Sequence, residues 1–69
     1  MDKYKLRAKM SEHGDTGEVL AEVLGIHRSC LSAKMNGYRG AEFNQTEIKL
    51  MAKRYEMTDA EVCEIFFNE

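Results

Sequence analysis

Signals for helix starts recur along this chain and divide it into short segments. Asn44 and Thr58 are each followed three residues later by glutamate, an arrangement in which side chain and backbone cap one another at the first turn of a helix. Asp15 stands in the same relation to Glu18. Apolar residues with helical spacing follow each signal, and no stretch has the sustained alternation of a strand. The chain is therefore predicted to be all-α.

These signals predict five helices in a single domain that spans residues 1–69. A chain of this length can bury only one small core. The predicted helices are residues 1–12, a segment from 15 or 16 that stops at Gly25, residues 28–35, and two segments capped by Asn44 and Thr58. The side chains assigned to the core without a functional role are Leu31, Met35, Ile48, Met51 and Phe66.

Composition excludes several classes of protein. The formal charge is −2, which is not the strongly basic balance of a purely electrostatic nucleic-acid binder. No apolar run exceeds three residues, and the first residues do not resemble a signal peptide, so no membrane association and a cytoplasmic location are expected. Cys30 and Cys63 have no CxxC spacing and are predicted to be free thiols.

Residues 16–37 carry the most specific pattern in the chain. They comprise two short helical segments joined at Gly25, which can adopt positive φ at little cost, and the small Ala21 permits a close crossing of the second segment. The apolar residues spaced to lock the two segments together are Leu20, Leu24, Ile26 and Leu31. This pattern resembles a DNA-binding helix-turn-helix.

More narrowly, the segment resembles the Cro/CI-type phage repressors, also called the XRE-like family. The matching residues are Leu20, Ala21, Leu24, Gly25, Ile26, Ser29, Ser32, Asn36 and Gly37. The resemblance implies a compact five-helix, lambda-repressor-like domain with the helix-turn-helix as helices 2 and 3. It further implies a small phage or prophage transcriptional regulator, a repressor by default, that places helix 3 in the major groove of a double-stranded operator.

Three positions depart from the family pattern. Gly17 stands where the family commonly has a glutamine that contacts DNA, and His27 replaces the usual serine cap. Lys34 falls where many helix-turn-helix sequences have an apolar residue, so Met35 must fill that space or the lysine stem must lie beside it.

The local charge around helix 3 suits DNA. Residues 27–41 contain three basic and no acidic side chains, whereas residues 42–69 contain three basic and seven acidic ones. Arg28 is the best candidate for reading guanine, because its planar fork can donate to O6 and N7 together. The predicted base contacts are Arg28, Ser29, Ser32 and Ala33. The predicted backbone contacts are Thr16, Gly17, His27, Lys34, Asn36, Tyr38 and Arg39.

Other functions are weighed against this one. His27 and Cys30 form an H-x-x-C pair, but the second half of a structural zinc motif is missing, so no metal is expected. No catalytic motif appears, and the chain is predicted to be no enzyme, with no cofactor and no small-molecule substrate. The main alternative is an antitoxin-like or anti-repressor-like module that binds a protein partner. Adjacent helical residues cannot both face the core, so Phe66 is predicted to be buried. Phe67 is predicted to form either a contact in a weak homodimer or an exposed apolar patch.

Overall fold

Five α-helices joined by short turns make up the chain. In the computed structural model, which describes residues 1–67, they are α1 (Lys3–Glu12), α2 (Gly17–Leu24), α3 (Arg28–Asn36), α4 (Gln45–Arg54) and α5 (Asp59–Phe66). A 3-10 turn at Tyr38–Gly40 lies between α3 and α4, and residues 1–67 contain no strand. The prediction of an all-α chain with five helices is confirmed. The last two residues of the predicted 1–69 domain lie outside the described part of the chain.

Two of the predicted capping boxes are present. At α4, the backbone N–H of Glu47 donates to Asn44 Oδ1 (2.8 Å), and the N–H of Asn44 donates to Glu47 Oε1 (2.9 Å). At α5, the N–H of Glu61 donates to Thr58 Oγ1 (3.2 Å), and the N–H of Thr58 donates to Glu61 Oε1 (3.1 Å). Each pair satisfies two backbone donors that the first turn of a helix otherwise leaves without a partner.

The third predicted box, between Asp15 and Glu18, is wrong. The N-cap of α2 is Thr16, whose Oγ1 accepts the N–H of Val19 at 3.2 Å. The Asp15 carboxylate instead accepts two hydrogen bonds from the Arg54 guanidinium, at 2.7 and 2.8 Å, and one from the Tyr55 hydroxyl at 2.7 Å. A charged, bidentate partner is a stronger ligand for a carboxylate than a neutral backbone amide.

This Asp15–Arg54–Tyr55 cluster fastens the turn before α2 to the end of α4. The Asp15 side chain is only 4% exposed. The Arg54 guanidinium, assisted by the Tyr55 hydroxyl and opposed by burial, lowers the pKa of the Asp15 carboxyl to about 2. Burial and the neighbouring carboxylate raise the pKa of the Tyr55 hydroxyl. Asp15 is therefore ionised and Tyr55 keeps its proton, as the hydrogen bond from the Tyr55 hydroxyl to the Asp15 carboxylate requires.

The core draws on every helix. Its buried apolar side chains are Leu6, Met10, Leu20, Ala21, Leu31, Met35, Met51, Tyr55 and Ile65. Met35 is buried, and the Lys34 side chain is also largely covered, at 21% exposed, beside Glu47. Ile48 and Phe66, also predicted as core, are only half-buried, and Phe66 packs against the core. Phe67 is 61% exposed. Burial of large apolar side chains contributes about 1.5–3 kcal/mol each, which makes this cluster the main source of stability.

Helices α2 and α3 make the most extensive contact between any two helices. Gly25 ends α2 at φ 71°, and its N–H donates to the Glu22 carbonyl (3.1 Å), while the Ile26 N–H donates to the Ala21 carbonyl (3.0 Å). These two bonds form a Schellman motif, which requires the left-handed conformation that glycine adopts most readily. The predicted role of Gly25 is thus confirmed, and α3 begins three residues later in a fixed position.

None of the helices within residues 1–67 has the length and apolar character needed to cross a bilayer. The Cα atoms occupy a body of 27 × 27 × 20 Å.

Candidate nucleic-acid interface

One side of α3 is buried and the rest of it faces outward. Leu31 and Met35, one helical turn apart, enter the core. The predicted base contacts occupy the remaining circumference: Arg28, Ser29 and Ser32 are exposed, and Ala33 is half-buried. The structure thus brings these four side chains to the surface of a single helix.

His27 caps the start of α3. Its Nδ1 accepts the N–H of Ser29 at 3.1 Å and lies 2.8 Å from Ser29 Oγ. An Nδ1 that accepts a backbone hydrogen bond carries no proton, so the neutral ring bears its N–H at Nε2. His27 is therefore the N-cap residue of α3, and the Ser29 hydroxyl lies against the imidazole.

Four of the ten basic side chains form ion pairs within residues 1–67. The pairs are Lys5–Glu64, Lys9–Glu61, Lys34–Glu47 and Arg54–Asp15. Lys34, a predicted backbone contact, lies 2.7 Å from both carboxylate oxygens of Glu47, which is only 4% exposed. The charge of Lys34 is therefore largely neutralised inside the protein, between α3 and α4.

A groove of about 390 Å³ separates α3 from α1. Its polar walls come from Arg7 and Ser11 of α1, Arg28, Ser32 and Asn36 of α3, and Gly17 at the start of α2, and its floor includes Leu31 and Met35. Within residues 1–67, neither Arg7 nor Arg28 forms an ion pair. Asp15 also lines this groove, but its carboxylate is held by Arg54, so the two guanidinium groups of the groove have no carboxylate partner of their own and can attract an anion.

Lys3 extends this basic surface to the end of α3. Its ammonium donates to Asn36 Oδ1 at 2.9 Å, while Asn36 Nδ2 donates to the Ser32 carbonyl at 2.9 Å. The amide of Asn36, a predicted backbone contact, is thus held at the surface between α1 and α3. Sequence reasoning missed Lys3 and Arg7. The available signal was their i, i+4 spacing, which places both cations on one side of α1.

Tyr38 and Arg39 form an exposed pair in the turn after α3. The Tyr38 side chain is 61% exposed, and the Arg39 guanidinium carbon lies 5.2 Å from the centre of its ring, within cation–π range. Arg39 has φ 53°, which is uncommon for a side chain other than glycine. The Arg39 cation thus lies beyond the end of α3, on a residue whose left-handed backbone conformation is unfavourable for side chains other than glycine.

The remaining predicted contacts lie at the start of α2. The Thr16 hydroxyl oxygen accepts the Val19 N–H, so its own O–H stays available as a donor at an exposed residue. Gly17 is half-buried, and a Cβ at this position would lie 3.8 Å from Leu31 Cδ2, an ordinary contact. The space next to Gly17 therefore accommodates a Cβ without a clash.

Side chains able to bind a metal lie apart from one another within residues 1–67. Residues 1–67 contain no cluster of three or more His, Cys, Asp or Glu side chains placed to bind one ion. Cys30 and Cys63 are both exposed free thiols.

The resemblance of residues 16–37 to phage repressors stays a prediction from the sequence. Comparisons with protein-family models, with curated proteins and with solved structures each return no match to this chain.

Proposed function

We propose that this chain is a sequence-specific, double-stranded DNA-binding regulator in which α2 and α3 act as a helix-turn-helix of the lambda-repressor type. The observation that carries the proposal is the distribution of unpaired cations. Lys3, Arg7, Arg28 and Arg39 surround α3 and form no ion pair within residues 1–67, whereas Lys5 and Lys9, which face α5, are paired. Lys49 and Lys53 of α4 also form no ion pair within these residues.

The dimensions of α3 suit the major groove. An α-helix with its side chains is about 10–12 Å across, and the major groove of B-form DNA is about 12 Å wide. Leu31 and Met35 anchor the helix in the core, and the contact with α2 fixes its direction. The exposed side of α3 can therefore enter the groove as a rigid unit.

Arg28 is assigned to base recognition at the start of α3. Its guanidinium can donate two parallel hydrogen bonds to guanine, and Ser32, one helical turn later, lines the same groove. Ala33 lies further round the helix. Ser29 is the weaker candidate of the four, because its hydroxyl already lies 2.8 Å from the His27 ring.

Phosphate contacts are assigned to groups on both sides of α3. Arg7, Lys3 and Arg39 supply charge, and the Thr16 hydroxyl and the N–H groups at the start of α2 supply neutral donors. His27 keeps an Nε2–H donor for the same purpose. Lys34 drops to a secondary role, because Glu47 already neutralises it. A net charge of −2 does not oppose binding, since the acidic side chains are concentrated in residues 42–69.

In this proposal the protein acts in the cytoplasm as a repressor, occupying an operator and excluding polymerase. Selection from a random duplex library tests the proposal first. Fluorescence anisotropy then compares the selected sequence with a scrambled duplex over a salt series. Enrichment of a short site supports the proposal. An absence of enrichment, with weak binding that vanishes at moderate salt, would favour the alternative of a protein-binding module.

Two variants separate the proposed roles. Arg28→Ala should weaken binding to the selected site by about 1–3 kcal/mol and relax sequence preference, because a base contact is lost. Arg39→Ala should weaken the selected and scrambled duplexes alike and reduce the salt dependence, because a phosphate contact is lost. Equal losses on both duplexes for both variants would contradict this division of roles.

A further inference from the structure

The groove between α1 and α3 has a floor that belongs to the core of the protein. This α1–α3 groove has a volume of about 390 Å³, and its floor contains the buried side chains of Met10, Leu31 and Met35. Side chains held in a packed core keep one arrangement, so the groove is formed before any ligand binds. Its volume falls within the range of about 300–1,000 Å³ that is typical of small-molecule sites.

Three charged side chains line the α1–α3 groove, namely Arg7, Arg28 and Asp15. The Asp15 side chain is 4% exposed and accepts hydrogen bonds from Arg54 and Tyr55, so its charge is already satisfied. Arg7 and Arg28 are exposed, and neither forms an ion pair within residues 1–67. The groove therefore offers two unpaired positive charges next to an apolar floor.

Neutral hydrogen-bond donors also line the α1–α3 groove. Ser11 contributes a hydroxyl from α1, and Ser32 contributes one from α3. The Ser32 oxygen accepts from Asn36 Nδ2 at 3.4 Å, which leaves its O–H free to donate. Gly17, at the start of α2, has a backbone N–H that donates no hydrogen bond within residues 1–67. Donors from three helices thus meet at one groove, as the recognition of an anion requires.

The number of charges indicates which anion fits the groove. Guanidinium groups match the oxygens of both carboxylates and phosphates. A phosphate monoester, with a second pKa of about 6, carries close to two negative charges above neutral pH. A carboxylate, or the phosphodiester of DNA, carries only one. Two cations beside an apolar floor therefore match a phosphate monoester that is attached to an apolar body.

We propose that the α1–α3 groove binds a free phosphate monoester with an apolar or aromatic body, a ligand that is bound and not converted. Arg7 and Arg28 hold the phosphate, the hydroxyls of Ser11 and Ser32 donate to it, and the apolar body covers Leu31 and the methionines beside it. The ligand site itself does not depend on DNA binding. One consequence rests on the proposed function: the ligand occupies Arg28 and so competes with the operator.

A titration without DNA tests the site. Phenyl phosphate is added to the ¹⁵N-labelled chain at about pH 8, where it is a dianion, and amide shifts are followed by NMR. The dissociation constant is expected on the order of 1 mM, with the largest shifts at Ser11, Gly17 and Ser32. Inorganic phosphate, which lacks the ring, should bind roughly tenfold more weakly. The absence of saturable shifts up to about 10 mM phenyl phosphate would overturn the proposal, as would equal affinity for inorganic phosphate.

A second probe distinguishes a free monoester from a phosphate of the DNA backbone. Methyl phenyl phosphate keeps the aromatic ring but is a diester with one negative charge, like a DNA phosphate. It should bind roughly fivefold more weakly than phenyl phosphate, because one of the two arginines loses its counter-charge. If the diester binds as tightly as the monoester, the groove is a site for DNA phosphate, and the proposal of a free ligand is wrong.

Substitutions test which cations hold the phosphate. Arg7→Ala and Arg28→Ala should each raise the dissociation constant of phenyl phosphate roughly tenfold, as expected for the loss of a charged hydrogen bond. Lys49→Ala is the matched control, because Lys49 is exposed and forms no ion pair within residues 1–67 but does not line the groove. The spectra also show whether each variant is folded. Equal weakening by Arg7→Ala and Lys49→Ala would mean that the probe responds only to overall charge, which would overturn the site.

Competition with DNA separates this inference from the proposed function. Phenyl phosphate at roughly ten times its dissociation constant should weaken binding of the selected duplex about tenfold at constant ionic strength, because both need Arg28. If no duplex is selected, the proposed function fails, while the titration without DNA still decides on the ligand site. If ligand and duplex bind together without affecting each other, they do not share Arg28, and the site assigned here is wrong.

Discussion

Each of two sides of α1 carries two cations that are four residues apart, but the cations on the two sides have different partners. Lys5 and Lys9, four residues apart, face α5 and form ion pairs with Glu64 and Glu61. Lys3 and Arg7, also four residues apart, face α3, where Lys3 donates to Asn36 and Arg7 lines the groove beside Arg28. The role of a surface cation is therefore set by the helix that packs against it, and not by its own helix.

The two sides of α1 should therefore contribute to different properties: the cations that face α5 to the stability of the fold, and those that face α3 to DNA binding. The hydrogen bond between Lys9 and Glu61 is the main reason why the pKa of Lys9 is raised and the pKa of Glu61 is lowered, because each charged form stabilises the other. Apart from Lys34, which pairs with Glu47, the cations near α3 have no carboxylate partner within residues 1–67, so their replacement should leave the folded state nearly unchanged. Substitutions on the two sides of α1 should consequently affect different measurements.

The largest expected effect on stability belongs to Asp15, the paired carboxylate whose side chain is the least exposed. Asp15→Asn removes the charge that accepts from both Arg54 and Tyr55 and should lower the free energy of unfolding by about 2 kcal/mol at pH 7. Urea unfolding measures this change. Asp59→Asn is the control, because Asp59 is exposed and should change stability by less than about 0.5 kcal/mol.

The same pair of variants gives a test in acid. Because folding lowers the pKa of Asp15 from 3.8 to about 2, its contribution is present in full above pH 3.8 and is lost as the pH falls towards 2. The stability difference between wild type and Asp15→Asn should therefore shrink over that interval. A difference that stays constant down to pH 2 would show that the Asp15 charge is not what stabilises the cluster.

A smaller effect, on DNA affinity, compares the two sides of α1 directly. Arg7→Ala should weaken binding to selected and scrambled duplexes alike by about 1 kcal/mol. It should also reduce the slope of log K against log salt by about 0.9, the value for one phosphate contact. Lys5→Ala should leave that slope unchanged, since Lys5 pairs with Glu64. Identical slopes for the two variants would show that the two sides of α1 do not differ in their contribution to DNA binding.

The sequence predicted those features whose causes are local. The boxes at Asn44 and Thr58 join residues three apart, and Gly25 ends α2 through bonds within one turn, so neither depends on the rest of the fold. Asp15 was misread because its partner, Arg54, is 39 residues away. A competing interaction at that separation leaves no trace in local spacing.

Charges on the candidate site were harder to predict for the same reason. Lys34 was assigned to DNA from its place in the helix-turn-helix pattern, and only the packing of α3 on α4 brings Glu47 to it. Arg7 was overlooked because the pattern begins at residue 16, whereas the groove it lines is shared between α1 and α3. A motif identifies the helix that presents a site, but the unpaired charges around it depend on the tertiary fold.

The smallest expected effect concerns two strained residues. Arg39 and Glu56 are the side chains other than glycine with positive φ within residues 1–67, at 53° and 51°. Replacement by glycine relieves this strain, partly offset by the greater freedom of glycine in the unfolded chain, so each change should stabilise the fold by about 0.5 kcal/mol. Arg39→Gly should gain slightly less, because its contact with the Tyr38 ring is lost.

DNA binding should distinguish these two substitutions. Arg39→Gly removes a cation next to α3 and should weaken both selected and scrambled duplexes, whereas Glu56→Gly, in the turn between α4 and α5, should leave affinity unchanged. If Arg39→Gly is more stable than the wild type but binds DNA more weakly, the strain at Arg39 is retained for binding. If Arg39→Gly keeps full affinity, the turn after α3 makes no phosphate contact, and the basic surface ends at Lys3 and Asn36.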